Sequence, residues 1–167
     1  MPTVYTGKVF SVEVDNARFP NGTEHTVETV RHRPCVVLIP VQDDGRVVMI
    51  RQYRHSVRRM LWELPAGNID RGEDPDAAAA RECEEEIGMA PHRLERLASL
   101  FPSPGYCDEE MRFYRATDLR PPAANSPHKP DEDEDIEVYP VTLAEAKAMV
   151  VRGEIVDLKT AYALTLV

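Results

Sequence analysis

GNIDRGEDPDAAAARECEEEIGM, running from Gly67 to Met89, is the stretch whose reading decides the fold. Asp74 is a good N-cap, Pro75 suits the first helical position, Asp76 complements the positive end of a helix dipole, and the alanines to Ala80 are strong helix formers. The stretch therefore predicts a helix that begins near Pro75 and stops at Gly88, a residue suited to the left-handed conformation. At about 100° per residue, Ala80, Cys83 and Ile87 share an apolar face, whereas Glu82, Glu85 and Glu86 share a charged one. Like charges at this spacing cost about 0.2–0.5 kcal/mol a pair, and an anion in the last turn costs about 0.3–1 kcal/mol against the dipole. A bound cation reverses both penalties, and hard divalent ions take carboxylate oxygens. An isolated acidic face would read as solvated surface, but here Gly67, Glu73, Arg81 and Gly88 flank it.

Those flanking residues have a fixed spacing. Gly67 is followed after five residues by Glu73, and after seven more by Arg81-Glu82, apolar Cys83, Glu85-Glu86, Gly88 and apolar Met89. The pattern resembles the Nudix box. The resemblance implies an α+β chain with the Nudix α/β/α sandwich and a mixed sheet. It also implies hydrolysis of a nucleoside-linked diphosphate with Mg²⁺ as cofactor, Mn²⁺ being an alternative. Glu82, Glu86 and the Ala66 carbonyl are then implied as metal ligands, with Glu85 a ligand or alternate base. Arg81 is implied to orient the glutamates and Glu73 to brace the loop.

Working outward, the 167 residues suit one domain with a sizeable core. No apolar run approaches the roughly 20 residues of a membrane span, and the start MPTVYTGKVFSVEV shows no basic leader before an apolar signal core. A cytoplasmic enzyme with no membrane partner is expected. Cys35, Cys83 and Cys107 form an odd set without CxxC spacing, so reduced thiols are expected rather than a disulfide framework or zinc site. The net charge of −9 argues against nucleic acid as a partner, because backbone binding needs clustered Lys and Arg. A small anionic substrate remains compatible where cations gather locally.

Lys8 to Val14 and Glu24 to Arg31 read as strands around a Pro20-Asn21-Gly22 turn, an N-terminal β-hairpin arm. Cys35 to Val41 and Arg46 to Arg51 are apolar runs suited to strands buried on both faces. Leu61 to Leu64, Leu94 to Phe101, Arg112 to Thr117 and Ile136 to Val141 predict further strands. Leu143 to Arg152 and Asp157 to Leu166 predict helices. The Pro-rich and then acidic segment from Pro121 to Asp135 predicts a mobile loop. Residues 1–31 are thus expected as an arm, and residues 32–167 as the hydrolase domain.

Outside the box the chain resembles the bacterial ADP-ribose pyrophosphatase branch of the Nudix family, which also includes hydrolases of other nucleoside diphosphate sugars. The resemblance rests on Arg51-Gln52-Tyr53-Arg54, on Glu63-Leu64-Pro65-Ala66-Gly67, and on Ser103-Pro104-Gly105-Tyr106-Cys107-Asp108-Glu109. It extends to Asp131 through Val138 and to Gly153-Glu154-Ile155 with Asp157 and Thr160. Cys107 departs from the small or hydroxyl residues usual there. A guanidinium fork matches phosphate oxygens, and the resemblance makes Arg54 the diphosphate clamp, with Arg51 and Gly105 beside the substrate. Glu109 and Glu28 align with ribose or base contacts, although an exposed strand residue reads equally well for Glu28. Glu132 is implied as the general base that closes over substrate, with Glu134 as an extra metal ligand. ADP-ribose would yield AMP and ribose 5-phosphate, and an arm exchanged between subunits implies a homodimer. Other nucleoside diphosphate sugars, dinucleotides and a non-catalytic nucleotide sensor are the rival readings, though a sensor typically loses box glutamates that are all present here.

Overall fold

The computed structural model describes residues 2–128 and 135–167. Three sheets and three helices make up the described chain. Strands β1 (Thr3–Thr6), β2 (Phe10–Arg18) and β3 (Glu24–His32) form an antiparallel N-terminal sheet. The expected hairpin is there, in register from Phe10 opposite His32 to Arg18 opposite Glu24, and β1 is an addition to it. Its turn depends on Gly22, whose φ of 85° lies in the left-handed region.

The rest of the fold is built on β4 (Cys35–Pro40) and β5 (Arg46–Arg54). Strand β5 lies between β6 (Arg59–Glu63) and β10 (Ile136–Thr142), antiparallel to both. Strand β4 pairs antiparallel with the short β7 (Ala66–Asn68) and parallel with β9 (Met111–Arg120), which pairs in turn with β8 (Ala90–Leu100). Helix α1 (Pro75–Ile87) follows β7, while α2 (Leu143–Val151) and α3 (Leu158–Ala163) end the chain.

Burial on both faces of the central strands follows from their alternation. Cys35, Val37 and Ile39 pack with Val47, Met49, Phe113 and the buried residues Ala146, Met149 and Ala163 of α2 and α3. Val36 and Leu38 point the other way and pack with Val48, Ile50, Tyr114 and the α1 residues Ala78, Ala79 and Cys83. Helices therefore cover both sides of the central strands, the layered α+β arrangement expected from the sequence. The strand expected over Leu61 to Leu64 is β6 and ends before Pro65; a separate short strand, β7, follows in the sheet of β4, where Ala66, Gly67 and Asn68 pair with Val37, Val36 and Cys35. Helix α3 is shorter than the span from Asp157 to Leu166. All three cysteines are free. Among the described residues no helix is long and apolar enough to cross a membrane.

Helix α1 forms as its end signals dictate. The Asp74 carboxylate accepts from the backbone N–H groups of Asp76 at 2.9 Å and Ala77 at 3.3 Å, an N-cap worth about 1 kcal/mol. At the other end Gly88 has φ 65°, with its N–H bonded to Glu84 O and that of Met89 to Cys83 O. These caps fix where the helix starts and stops, and so fix which way its glutamates face.

Candidate active site

A cleft of about 670 Å³ opens between the C-terminal half of α1 and the ends of β5, β7 and α3. Glu82, Glu85 and Glu86 line one wall, and Arg54, Glu109 and Lys159 are among the residues lining the rest. Glu82 and Glu86 are buried, with 8% and 6% of their surface exposed. Their seating depends on β7. The Ala66 N–H donates to Glu86 Oε2 at 3.0 Å, and a Cβ placed on Gly67 would lie 2.0 Å from Glu82 Cδ. Gly67 is thus required by the close approach of the carboxylate to the strand.

Arg81 answers the like-charge problem posed by the sequence. Its Nη1 donates to Glu82 Oε1 at 2.6 Å and to Glu85 Oε2 at 2.8 Å. Its Nε and Nη2 reach the two oxygens of Glu73 at 2.9 and 3.0 Å, and Nη2 also donates to Asn68 O. Glu73 accepts the Asp70 N–H at 2.8 Å, which ties the loop between β7 and α1 to the same guanidinium. Hydrogen bonding to Glu73 first, and then to the α1 glutamates, pushes the Arg81 pKa above its ordinary value although burial opposes it. The same contact with Arg81 holds the Glu73 carboxyl below its ordinary range. Arg81 thus offsets part of the like-charge penalty from within the helix, one guanidinium being shared among Glu73, Glu82 and Glu85. Among the described residues no three His, Cys, Asp or Glu side chains converge as a ready metal cage. The donor set still fits a hard divalent ion: carboxylate oxygens of Glu82 and Glu86 beside the Ala66 backbone, against a glycine that leaves room for them.

The facing wall is built around Glu63, only 1% exposed. Arg54 grips it with a fork, Nε to Oε1 at 2.8 Å and Nη2 to Oε2 at 2.7 Å, and Lys159 Nζ reaches Oε2 at 2.5 Å. Burial pushes the Glu63 carboxyl up, but Arg54 and Lys159 outweigh it and hold the carboxyl below its ordinary value. Glu109 stands 3.7 Å from His32 Nδ1. It adds to the burial that pushes the Cys35 thiol up.

Not every expected residue converges here. Arg51 lies three positions from Arg54 on β5, and strand alternation puts it on the opposite face. There it sits 5.8 Å from the Trp62 ring centroid and 3.7 Å from Glu137. Glu28 is exposed on β3 opposite Val14, and exposed Gly105 meets nothing within 4 Å of an added Cβ; neither lines the cleft. Glu132 and Glu134 lie outside the described residues. Just before them, Ser126 Oγ hydrogen-bonds Glu84 and His128 Nδ1 comes within 3.8 Å of Glu85 Oε1. Lys159 and Glu63 were not singled out from sequence as site residues. The only signal for Lys159 is its position between Asp157 and Thr160, and for Glu63 its place before Leu64-Pro65.

A layered α+β body whose capped helix sets glutamates beside a cationic wall defines a class of protein suited to handling phosphates with a hard cation. Residues 31–158 match the NUDIX domain, and the chain belongs to that family. It is 36% identical over 161 residues to an ADP-ribose pyrophosphatase of Bacillus subtilis (strain 168), covering 96% of this chain and 86% of that one. It is 41% identical over 156 residues to an ADP-ribose pyrophosphatase of Mycobacterium tuberculosis (strain ATCC 25618 / H37Rv), with 93% and 74% covered. The crystal structure of an ADP compounds hydrolase superposes with a TM-score of 0.84 at 28% identity, covering 99% of this chain and 88% of that one.

Proposed function

We propose that this protein hydrolyses ADP-ribose to AMP and ribose 5-phosphate with Mg²⁺ as cofactor, Mn²⁺ being an alternative. The observation that carries the reading is the cleft itself, where the Glu82, Glu85 and Glu86 carboxylates face the Arg54 guanidinium and the Lys159 ammonium. Relatives named ADP-ribose pyrophosphatase support the choice of substrate.

Glu82, Glu86 and the Ala66 carbonyl would hold the metal, with Glu134 as an added ligand. A divalent cation bound there supplies charge neutralisation at the diphosphate and a lowered pKa for attacking water. The chain's own residues do the rest. Arg54 holds the diphosphate, with Nη1 left over from its fork on Glu63. Glu109 accepts from ribose or base, and Glu28, Arg51 and Gly105 would contribute from a second subunit or on closure. Glu132, or else Glu85, takes the proton as water oxygen bonds to phosphorus and the bridging P–O bond breaks. Arg81 keeps the α1 carboxylates oriented. Residues 1–31 would serve as the arm of a homodimer ahead of the hydrolase domain, residues 32–167.

The test is a panel of ADP-ribose, GDP-mannose, other nucleoside diphosphate sugars, dinucleotides and ATP with Mg²⁺, products being identified. ADP-ribose should give the highest kcat/KM, with AMP and ribose 5-phosphate in equal amounts. A clear preference for GDP-mannose, a dinucleotide or a triphosphate overturns the substrate assignment, and no turnover of any compound overturns the enzyme.

A further inference from the structure

Lys159 sits in the first turn of α3, pinned by its neighbour. Thr160 Oγ1 accepts the Leu64 N–H at 2.8 Å and donates to Asp157 Oδ2 at 2.6 Å, so the start of α3 is docked on the residue that follows Glu63. From there Lys159, its side chain only 13% exposed, reaches Glu63 at 2.5 Å and Asp157 at 3.0 Å. Glu63 is therefore shared by two cations, both on the cleft wall that faces the α1 carboxylates.

With both cations present, Glu63 divides its charge between Arg54 and Lys159, the lysine being paired with Asp157 as well, so the guanidinium is neutralised less completely than by a Glu63 of its own. With Lys159 removed, Arg54 and a buried Glu63 form a closed pair that has less left to offer a second anion. We propose that Lys159 is a positioning residue for the diphosphate, acting on Arg54 through their shared carboxylate Glu63. It does not itself touch the substrate. The proposal rests on reading the cleft as a diphosphate site.

The experiment is a double-mutant cycle on the full chain, read by calorimetric binding of ADP-ribose with chelator present and by KM and kcat with Mg²⁺. Lys159→Met, which keeps the stem, should raise Kd and KM about tenfold, the equivalent of about 1.4 kcal/mol, while kcat stays within about threefold. Lys159→Arg should restore binding. In a Glu63→Gln background, Lys159→Met should cause no further loss, because the route to Arg54 is already cut. An additional loss there means that Lys159 contacts the ligand directly, and overturns the proposal while leaving the diphosphate reading intact. A lower melting temperature with unchanged KM and Kd assigns Lys159 a structural role only, and also overturns it. If the wild-type chain neither binds nor hydrolyses ADP-ribose, the diphosphate reading fails and takes the proposal with it. Should Lys159→Met not fold, Lys159→Gln serves in its place, and the comparison of Glu63→Gln with the double variant, which leaves no buried Glu63 carboxylate without its lysine, still reveals or excludes direct contact.

Discussion

Gly67→Ala is the sharpest single perturbation of the site. Gly67 has no left-handed φ, so an alanine there meets no backbone strain. The whole effect comes from contact. Its Cβ would lie 2.0 Å from Glu82 Cδ and 2.1 Å from both carboxylate oxygens, and the carboxylate must retreat to beyond the 3.4 Å at which ordinary contact begins. A retreat of that size breaks the 2.6 Å bond from Arg81 Nη1 and takes Glu82 off the axis it shares with Glu86. Crowding of this kind costs about 1–3 kcal/mol of stability. The cost in chemistry is larger, because a displacement of about 1 Å in a positioned group lowers turnover on the order of 10²-fold. Steady-state hydrolysis of ADP-ribose with Mg²⁺, beside thermal unfolding of the same preparation, measures the two separately. Turnover within about twofold of wild type would refute the argument that Gly67 exists to admit the Glu82 carboxylate.

Glu86→Gln should lower turnover by orders of magnitude in the same assay with the fold intact, and near-normal activity would remove Glu86 from the metal ligands. For the base, Glu132→Gln should cost on the order of 10²–10⁴-fold in kcat with substrate binding preserved. Normal turnover there, with a crippled Glu85→Gln that still binds, would transfer the role to the helix glutamate. The acid limb of stability depends on Glu73, whose folded-state pKa is depressed, first by its hydrogen bond to Arg81. Its contribution is complete above the unfolded value of about 4.3 and is lost as pH falls through the lower folded value. Urea unfolding should therefore show Glu73→Gln destabilised near neutrality and converging on wild type at low pH; an equal deficit at both would contradict the linkage.

Helix α1 was legible because everything that makes it is local: an Asp74 cap, a Pro75 start, an apolar face and a Gly88 stop within one stretch. The Arg81–Glu85 ion pair was legible too, since it has i, i+4 spacing. It gives the helix a cation of its own beside the glutamates. Strand alternation likewise could have separated Arg51 from Arg54. Strand β7 was not legible, because three residues carry no period and Ala66 to Asn68 are a strand only through pairing with β4. Nor was the Glu63 hub, since Lys159 meets it across 96 positions of sequence and only the docking of α3 brings them together.

The two walls of the cleft thus have different origins. The wall that would hold the metal comes almost entirely from residues 66 to 86, so one stretch of sequence suffices to place the chain in its family. The facing wall is assembled from β5, the loop before β9 and α3, and the loop depends in turn on the arm. Val30 donates its N–H to Tyr106 O at 2.7 Å, Asp108 returns one to Val30 O at 3.1 Å, and the Asp108 carboxylate takes both the His32 N–H and Arg31 Nη1. Strand β3 therefore clips the loop immediately before Glu109. A change in the arm can shift Glu109 while Glu82 and Glu86 keep their places on a separately capped helix. Hydrolytic chemistry can in this way stay fixed while the preferred ligand drifts.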